Sequence, residues 1–310
     1  MIDAVPVRHP GRWVAVAVLA VLAAMLIDLL VTNKAFDWDF VRQALVQTPV
    51  IRGLLVGTLL GTVLAMLLGV SLGVVLAVMR LSDNPVLAGA AWVYTWFFRA
   101  IPRLVLLTIM GTLGILWPDG LGLGVPFVHQ IAHALGGSAD ATFATVNANK
   151  LFSGLFAGVL GLGLSEAAYM AEIARAGILS VDPGQREAAN ALGMGNGLAM
   201  RRIVLPQAMR VIVPPTGNET IAMLKDTSLL IAVPLGTEMF FQLEAIGSRT
   251  FKTFPVYIAA VIWYLVINSV LMAVQARLER HFGRGFGTKP TPTDQANRTT
   301  MLGLAAGGAR

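Results

Sequence analysis

Read for hydrophobic and polar positions alone, the chain is a series of long apolar runs separated by short polar breaks. Six runs are candidate membrane spans: 13–31, 51–79, 101–117, 152–174, 211–235 and 256–276. A bilayer core needs roughly 20 apolar residues in a helix. The fifth run contains Pro214, Pro215, Gly217, Glu219, Lys225 and Asp226, and it predicts a broken helix that still crosses. Residues 84–98, NPVLAGAAWVYTWFF, predict an interfacial helix. Trp92, Tyr94 and Trp96 would sit at headgroup depth, and Pro102 would mark the entry to the bilayer. Residues 118–150 read as a long loop rich in Gly and Ala, and 281–310 as a polar tail expected to be disordered. The expected fold class is an all-α integral membrane protein of about six transmembrane helices.

The second run carries an internal period. Gly53, Gly57, Gly61, Ala65, Gly69, Gly73 and Ala77 recur every four residues. In lipid, small residues at that spacing let a neighbouring helix approach closely. The ridge therefore predicts helix packing rather than ligand binding. The first run follows Arg8 and Arg12, exceeds the 7–15 residues of a signal-peptide core, and has no A-x-A cleavage site after it, so it reads as a retained helix.

Composition changes the picture in three ways. The chain is 56% hydrophobic and 13% charged, against roughly 25% charged for soluble domains, which excludes a soluble fold. There are no cysteines, so thiol catalysis and disulfides are excluded. His129 and His133 stand at i, i+4, but HQIAH lacks the Glu of the H-E-x-x-H zinc motif, and no metal site is predicted. The net charge of +6 is unevenly placed. With both termini inside and six crossings, sixteen Lys/Arg fall in inner segments and six in outer ones. That is the sense of the positive-inside rule, and the excess charge needs no nucleic-acid partner.

One inner segment stands out. In residues 182–206, Asp182-Pro183-Gly184-Gln185 predicts a helix start, with Asp as N-cap and Pro at the first helical position. The helix runs through REAANAL to Gly193, which fits the position where a left-handed backbone is easiest for glycine. GMGNG is a turn, LAMRRIVL a second short helix, and Pro206 interrupts the chain beyond it. Two short helices on an elbow make a knob that projects from the membrane.

The spacing of Glu187, Ala188, Ala189, Gly193, Ile203, Leu205 and Pro206 resembles the signature loop of the membrane subunits of binding-protein-dependent ATP-binding cassette importers. GLSEAAYMAEIARAGILSVDPGQ (163–185), RRIVLPQAMRVIVPP (201–215) and NETIAMLKDTSLL (218–230) resemble that family's polar amino acid branch (histidine, glutamate, glutamine, arginine, opines). YTWFFRAIPRLVLL (94–107) does so too, with Ala100-Ile101 where the branch carries Gly-Thr. The resemblance implies an importer domain over 50–280, with coupling loop 182–206, preceded by an extra helix within 1–49. It implies a permease that moves polar amino acids by alternating access and has no ATPase site of its own. ATP and Mg would sit on a partner ATPase dimer. A second permease subunit, identical or not, and an extracytoplasmic amino acid-binding protein would complete the complex in the bacterial cytoplasmic membrane.

No G-x-x-x-x-G-K-[ST] phosphate loop occurs in the chain, so energy would come in trans. Charges within a membrane span mark a pathway or an internal ion pair. Asn218, Glu219, Lys225, Asp226, Thr227 and Ser228 are candidates for either role, as are Glu172 and Arg175 near the inner end of span four. Two other readings compete: an importer of another small solute, and an ATP-independent secondary transporter. The second would call for paired broken helices in both halves, and one strongly broken span is seen.

Overall fold

In a computed structural model the protein is described over residues 10–136, 142–233 and 236–282. The expected tail beyond Phe282 and the first nine residues lie outside the described residues. The long helices are α1 (Pro10–Thr32), α3 (Thr48–Arg80), α7 (Gly154–Leu179), α9 (Leu205–Asp226) and α11 (Thr253–Phe282). Between them lie α2 (Trp38–Leu45), α4 (Pro85–Ala100), α5 (Arg103–Leu116), α6 (Val128–Ala134), α8 (Pro183–Ala191) and α10 (Met239–Thr250).

Helix α7 is the axis of the bundle. Gly158, Gly161, Gly163, Ala167, Ala168, Ala171 and Gly177 are all buried on it, and α3, α4, α5 and α9 pack around it. Small side chains let four neighbours approach one helix, and dispersion rather than a hydrophobic force then holds them in lipid. A second apolar cluster gathers α2, the start of α3, α10 and α11 around Val41, Val50, Met239, Leu243 and Val256.

The glycine ridge of α3 has two partners. A methyl group at Gly53 or Gly57 would strike backbone at residues 237–239, whereas one at Gly69 or Gly73 would strike Glu166, Ala167 or Met170 on α7. A strict period of four precesses by about 40° per step on a 3.6-residue helix, so one stripe cannot face a single neighbour. Gly61 lies at the change-over. It is buried, yet an added Cβ would meet only Leu155 Cδ1, at 3.6 Å. The expectation of tight packing is corrected at that position. A π-helical turn, Leu54–Leu60, interrupts α3 beside the first contact.

Four further expectations change. Among the described residues four helices are long and apolar enough to cross a membrane, or five if α4 and α5 form one bent span. The candidate 211–235 is not among them, because Glu219, Lys225 and Asp226 dilute its hydropathy. Its first sixteen residues, 211–226, nevertheless lie in α9, whose 22 residues span about 33 Å. Second, α9 runs on through Pro214 and Pro215, and the change of geometry comes after Asp226, as a 3-10 segment Thr227–Ala232. Third, α4 is part of the bundle. Ala91 packs with Leu76, Ala167 and Ala171, and the Tyr94 hydroxyl donates to Leu164 O at 2.8 Å. It meets α5 at a bend of 98°, because a residue before proline is driven from the helical region, and Ile101 is extended (φ −92, ψ 130). Fourth, the loop 118–150 contains an antiparallel hairpin, β1 (Leu121–Gly124) with β2 (Thr142–Val146), so the fold is α-helical with one small sheet.

Candidate functional site

The bend at Pro102 places Arg103 at the first position of α5, pointing into the bundle. Its Nη2 donates to Glu166 Oε2 of α7 at 2.8 Å. Its Nη1 donates to Asp226 Oδ2 of α9. Glu219 Oε2, about two turns earlier on α9, lies 3.8 Å from Nη2. The guanidinium carbon sits 4.9 Å over the ring of Tyr169, and that of Arg99 5.7 Å from the same ring. Helices α7 and α9 thus converge on one arginine of α5, and α4 joins them through Arg99 at Tyr169.

The cluster is graded from buried to open. The Glu166 side chain is fully buried, that of Arg103 is 13% exposed, and those of Glu219 and Asp226 are 27% and 30% exposed. Glu166 Oε1 has no hydrogen-bond partner among the described residues. Three carboxylates against one guanidinium leave an excess of two negative charges when all are ionised. The buried Glu166 carboxylate is paired with Arg103 through Oε2, and its Oε1 can still accept from one further donor.

Of the candidate pathway residues, only Glu219 and Asp226 join this cluster. Asn218 turns to α11 and accepts from Gln275 Nε2 at 2.8 Å. The Thr227 and Ser228 hydroxyls donate to the carbonyls of Leu224 and Lys225. Lys225 is exposed and makes no ion pair among the described residues. It does not pair with Asp226, which Arg103 holds. Glu172 accepts from Arg175 at 2.8 Å and stands 3.8 Å from Arg80 Nε, tying the end of α3 to α7. Arg103, Glu166 and Tyr169 were not singled out from the sequence. The available signal was a lone carboxylate in the apolar first half of α7 and an arginine directly after the proline.

The knob is built separately. Asp182 caps α8, accepting from Gly184 N at 2.7 Å, with Pro183 at the first helical position. Leu192 ends the helix and Gly193 takes φ +77. Gly193 N–H donates to Asn190 O at 2.9 Å and Met194 N–H to Ala189 O at 3.0 Å. These two bonds together form a Schellman cap. The second arm differs from expectation. After a turn at Asn196–Ala199 and a π turn at Met200–Val204, the chain passes straight into α9. Pro206 falls just after the π turn, and the helix runs on through it. Ala189 and Ala199 are buried where the arms cross, while Glu187, Ala188, Gly193, Leu205 and Pro206 are exposed and Ile203 is half-buried. A cavity of about 220 Å³ opens beside Asp182, Arg186 and Glu187. Through its second arm the knob is rigidly continuous with the helix that carries Glu219 and Asp226.

Residues 69–284 match the family of binding-protein-dependent transport system inner membrane components. The chain belongs to that family. It is 46% identical over 285 residues to an arginine transport system permease protein, ArgU, of Corynebacterium glutamicum, covering 92% of this chain and 84% of that one. It is 36% identical over 214 residues to a probable amino-acid permease protein, YxeN, of Bacillus subtilis, covering 68% of this chain and 82% of that one. A crystal structure of an amino acid ABC transporter with histidines superposes with a TM-score of 0.57 at 31% identity, over 75% of this chain and 94% of that one. The methionine transporter MetNI shares the fold, with a TM-score of 0.54 at 19% identity. The permease is therefore a multi-pass membrane subunit of a binding-protein-dependent importer.

Proposed function

We propose that this permease imports amino acids with a cationic side chain, by alternating access around the Arg103 cluster. The observation that carries the reading is the buried Glu166 with one unpartnered oxygen, beside two more carboxylates and a single arginine. A substrate guanidinium or ammonium would supply the missing positive charge, and charge-assisted hydrogen bonds are about twice as strong as neutral ones. The similarity to an arginine permease supports the same class.

In this reading the knob (Glu187, Ala188, Ala189, Gly193, Ile203, Leu205, Pro206) seats in a cleft of a partner ATPase, where ATP and Mg are bound and hydrolysed. Closure of the motor tilts α9 through the knob's second arm, and Glu219 and Asp226 move with it relative to Arg103 on α5. Rearrangement of that ion-pair set changes which side the path faces. A second permease subunit forms the other wall, a binding protein delivers the amino acid on the side away from the knob, and the knob side is cytoplasmic.

The test is initial uptake of labelled arginine, lysine, glutamine and glutamate by the reconstituted complex, wild type and Glu166→Gln. The expected result is uptake of the basic amino acids in the wild type and at least a tenfold selective loss in the variant, with ATPase coupling to the knob intact. Wild-type uptake of glutamate or glutamine in preference to arginine would overturn the cationic assignment.

A further inference from the structure

The importer reading does not use the appendage between Trp117 and Asn147, which leaves the end of α5 and returns to the start of α7. We propose that the described parts of this appendage, residues 117–136 and 142–147, lie in the lipid interface on the face of the membrane opposite the knob, with their apolar sides in the bilayer.

Its position follows from its roots. Gly114 at the end of α5 packs so closely on the turn before α7 that an added Cβ would stand 2.5 Å from Asn149 Oδ1. Asn147 caps that turn, accepting from Lys150 N at 3.0 Å. Both roots therefore lie at ends of helices in the membrane bundle. They lie at the far end of α7 from the knob, since its 26 residues span about 39 Å. A short hairpin and helix rooted there cannot stand far from the bilayer surface.

Its surface is amphipathic twice over. The register pairs Leu121 with Val146 and Leu123 with Ala144, then Gly122 with Thr145, and a bulge leaves Phe143 unpaired. Alternate residues face opposite sides of a sheet, so one side of the hairpin is aliphatic and the other is glycine and threonine. In α6 the apolar residues Val128, Ile131, Ala132 and, at its end, Leu135 recur at i, i+3, i+4 and i+7, which is one helical stripe. Leu123, Phe127, Ile131, Leu135 and Phe143 are all exposed. Phe127 holds φ +65, an unusual backbone for a bulky residue, with its ring outward.

Charge selects the partner. From Trp117 to Asn147 the sequence contains no Lys or Arg and only two Asp. Such a surface offers few groups to pair with the charged side chains of a soluble protein. An aliphatic and aromatic surface of low charge beside Trp117 is instead the composition that partitions at the boundary between headgroups and acyl chains.

The absence of cysteine makes the test direct. Leu123→Cys, Ile131→Cys and Thr145→Cys would be spin-labelled one at a time in the full complex in lipid nanodiscs. Collision with oxygen, which concentrates in lipid, would be compared with collision with a neutral aqueous nickel chelate. The expected result is several-fold preference for oxygen at 123 and 131, and the reverse at 145. Preference for the nickel chelate at 123 and 131 would place the appendage in water. Shielding from both reagents there would place it under protein, either the second permease or a binding protein. Either result overturns the proposal.

Discussion

Replacing Gly193 tests the knob at the point where its backbone is least ordinary. The residue sits at φ +77 with no atom within 4 Å of an added Cβ, so substitution costs backbone energy alone. For a residue with a Cβ the left-handed conformation costs about 1–2 kcal/mol, and a factor of 5–30 in a local equilibrium corresponds to that range. Gly193→Ala should therefore reduce the population with both cap bonds formed by about that factor, and Gly193→Val by more, because a β-branched chain tolerates positive φ worst. Gly193→Asn should retain most of it, since Asn enters the left-handed region readily. The assay is uptake per ATP hydrolysed in proteoliposomes holding the ATPase and binding protein. Coupling should fall in the order Gly, Asn, Ala, Val while the amount of assembled complex stays constant. Normal coupling in Gly193→Val would refute the backbone account of the knob. So would equal loss in Gly193→Asn and Gly193→Val, because the side chain rather than the backbone would then be at fault.

Gly57→Ala would place a methyl 2.4 Å from Glu238 Cα and Thr237 O, and overpacking of this kind costs about 1–3 kcal/mol. Gly61→Ala, with only Leu155 Cδ1 at 3.6 Å, should be neutral, and equal melting shifts for the two in detergent would contradict the two-partner ridge. Beside the cluster of α2, α10 and α11, Lys252 Nζ donates to Asp37 Oδ2 at 2.7 Å and lies over the Phe40 ring. The hydrogen bond from the Lys252 ammonium, and that from Phe40 N–H, hold the Asp37 carboxyl below its ordinary value of 3.8. A depressed carboxylate contributes fully above its unfolded pKa and loses that contribution as pH falls through the folded one. The α1–α2 junction should loosen below about pH 4, seen in Trp38 fluorescence, and Lys252→Met should shrink that step. An unchanged acid profile in Lys252→Met would show that the pair contributes nothing.

The parts of the site that were legible in the sequence are the local ones. Asp182 as N-cap and Gly193 as C′ each act within five residues, so composition specifies them. The ridge of α3 was legible as packing, but not the identity of its partners, which depends on how the stripe precesses. The Arg103–Glu166 pair joins residues 63 apart on two helices, and no local pattern encodes the register between them. Pro214 and Pro215 misled because breaking a helix is only their intrinsic tendency. In a packed bundle that tendency is overridden, and the helix runs on through both to Asp226. The hairpin was hidden because strands of four and five residues, half of them Gly, Ala or Thr, carry almost no periodic signal.

Helix α1 is apolar all round and has no buried residue in its span. Its ties to the rest of the described chain are at its far end, where Trp38 Nε1 donates to Leu30 O at 3.2 Å and the Lys34–Phe36 turn follows. Its 23 residues are thus a module hinged to the transporter rather than a stave of it. No neighbour among the described residues packs over its side chains, so within this chain they have only to suit lipid. Protein engineers could exchange it for an unrelated span, or join another domain ahead of it, without disturbing the charges that meet at Arg103.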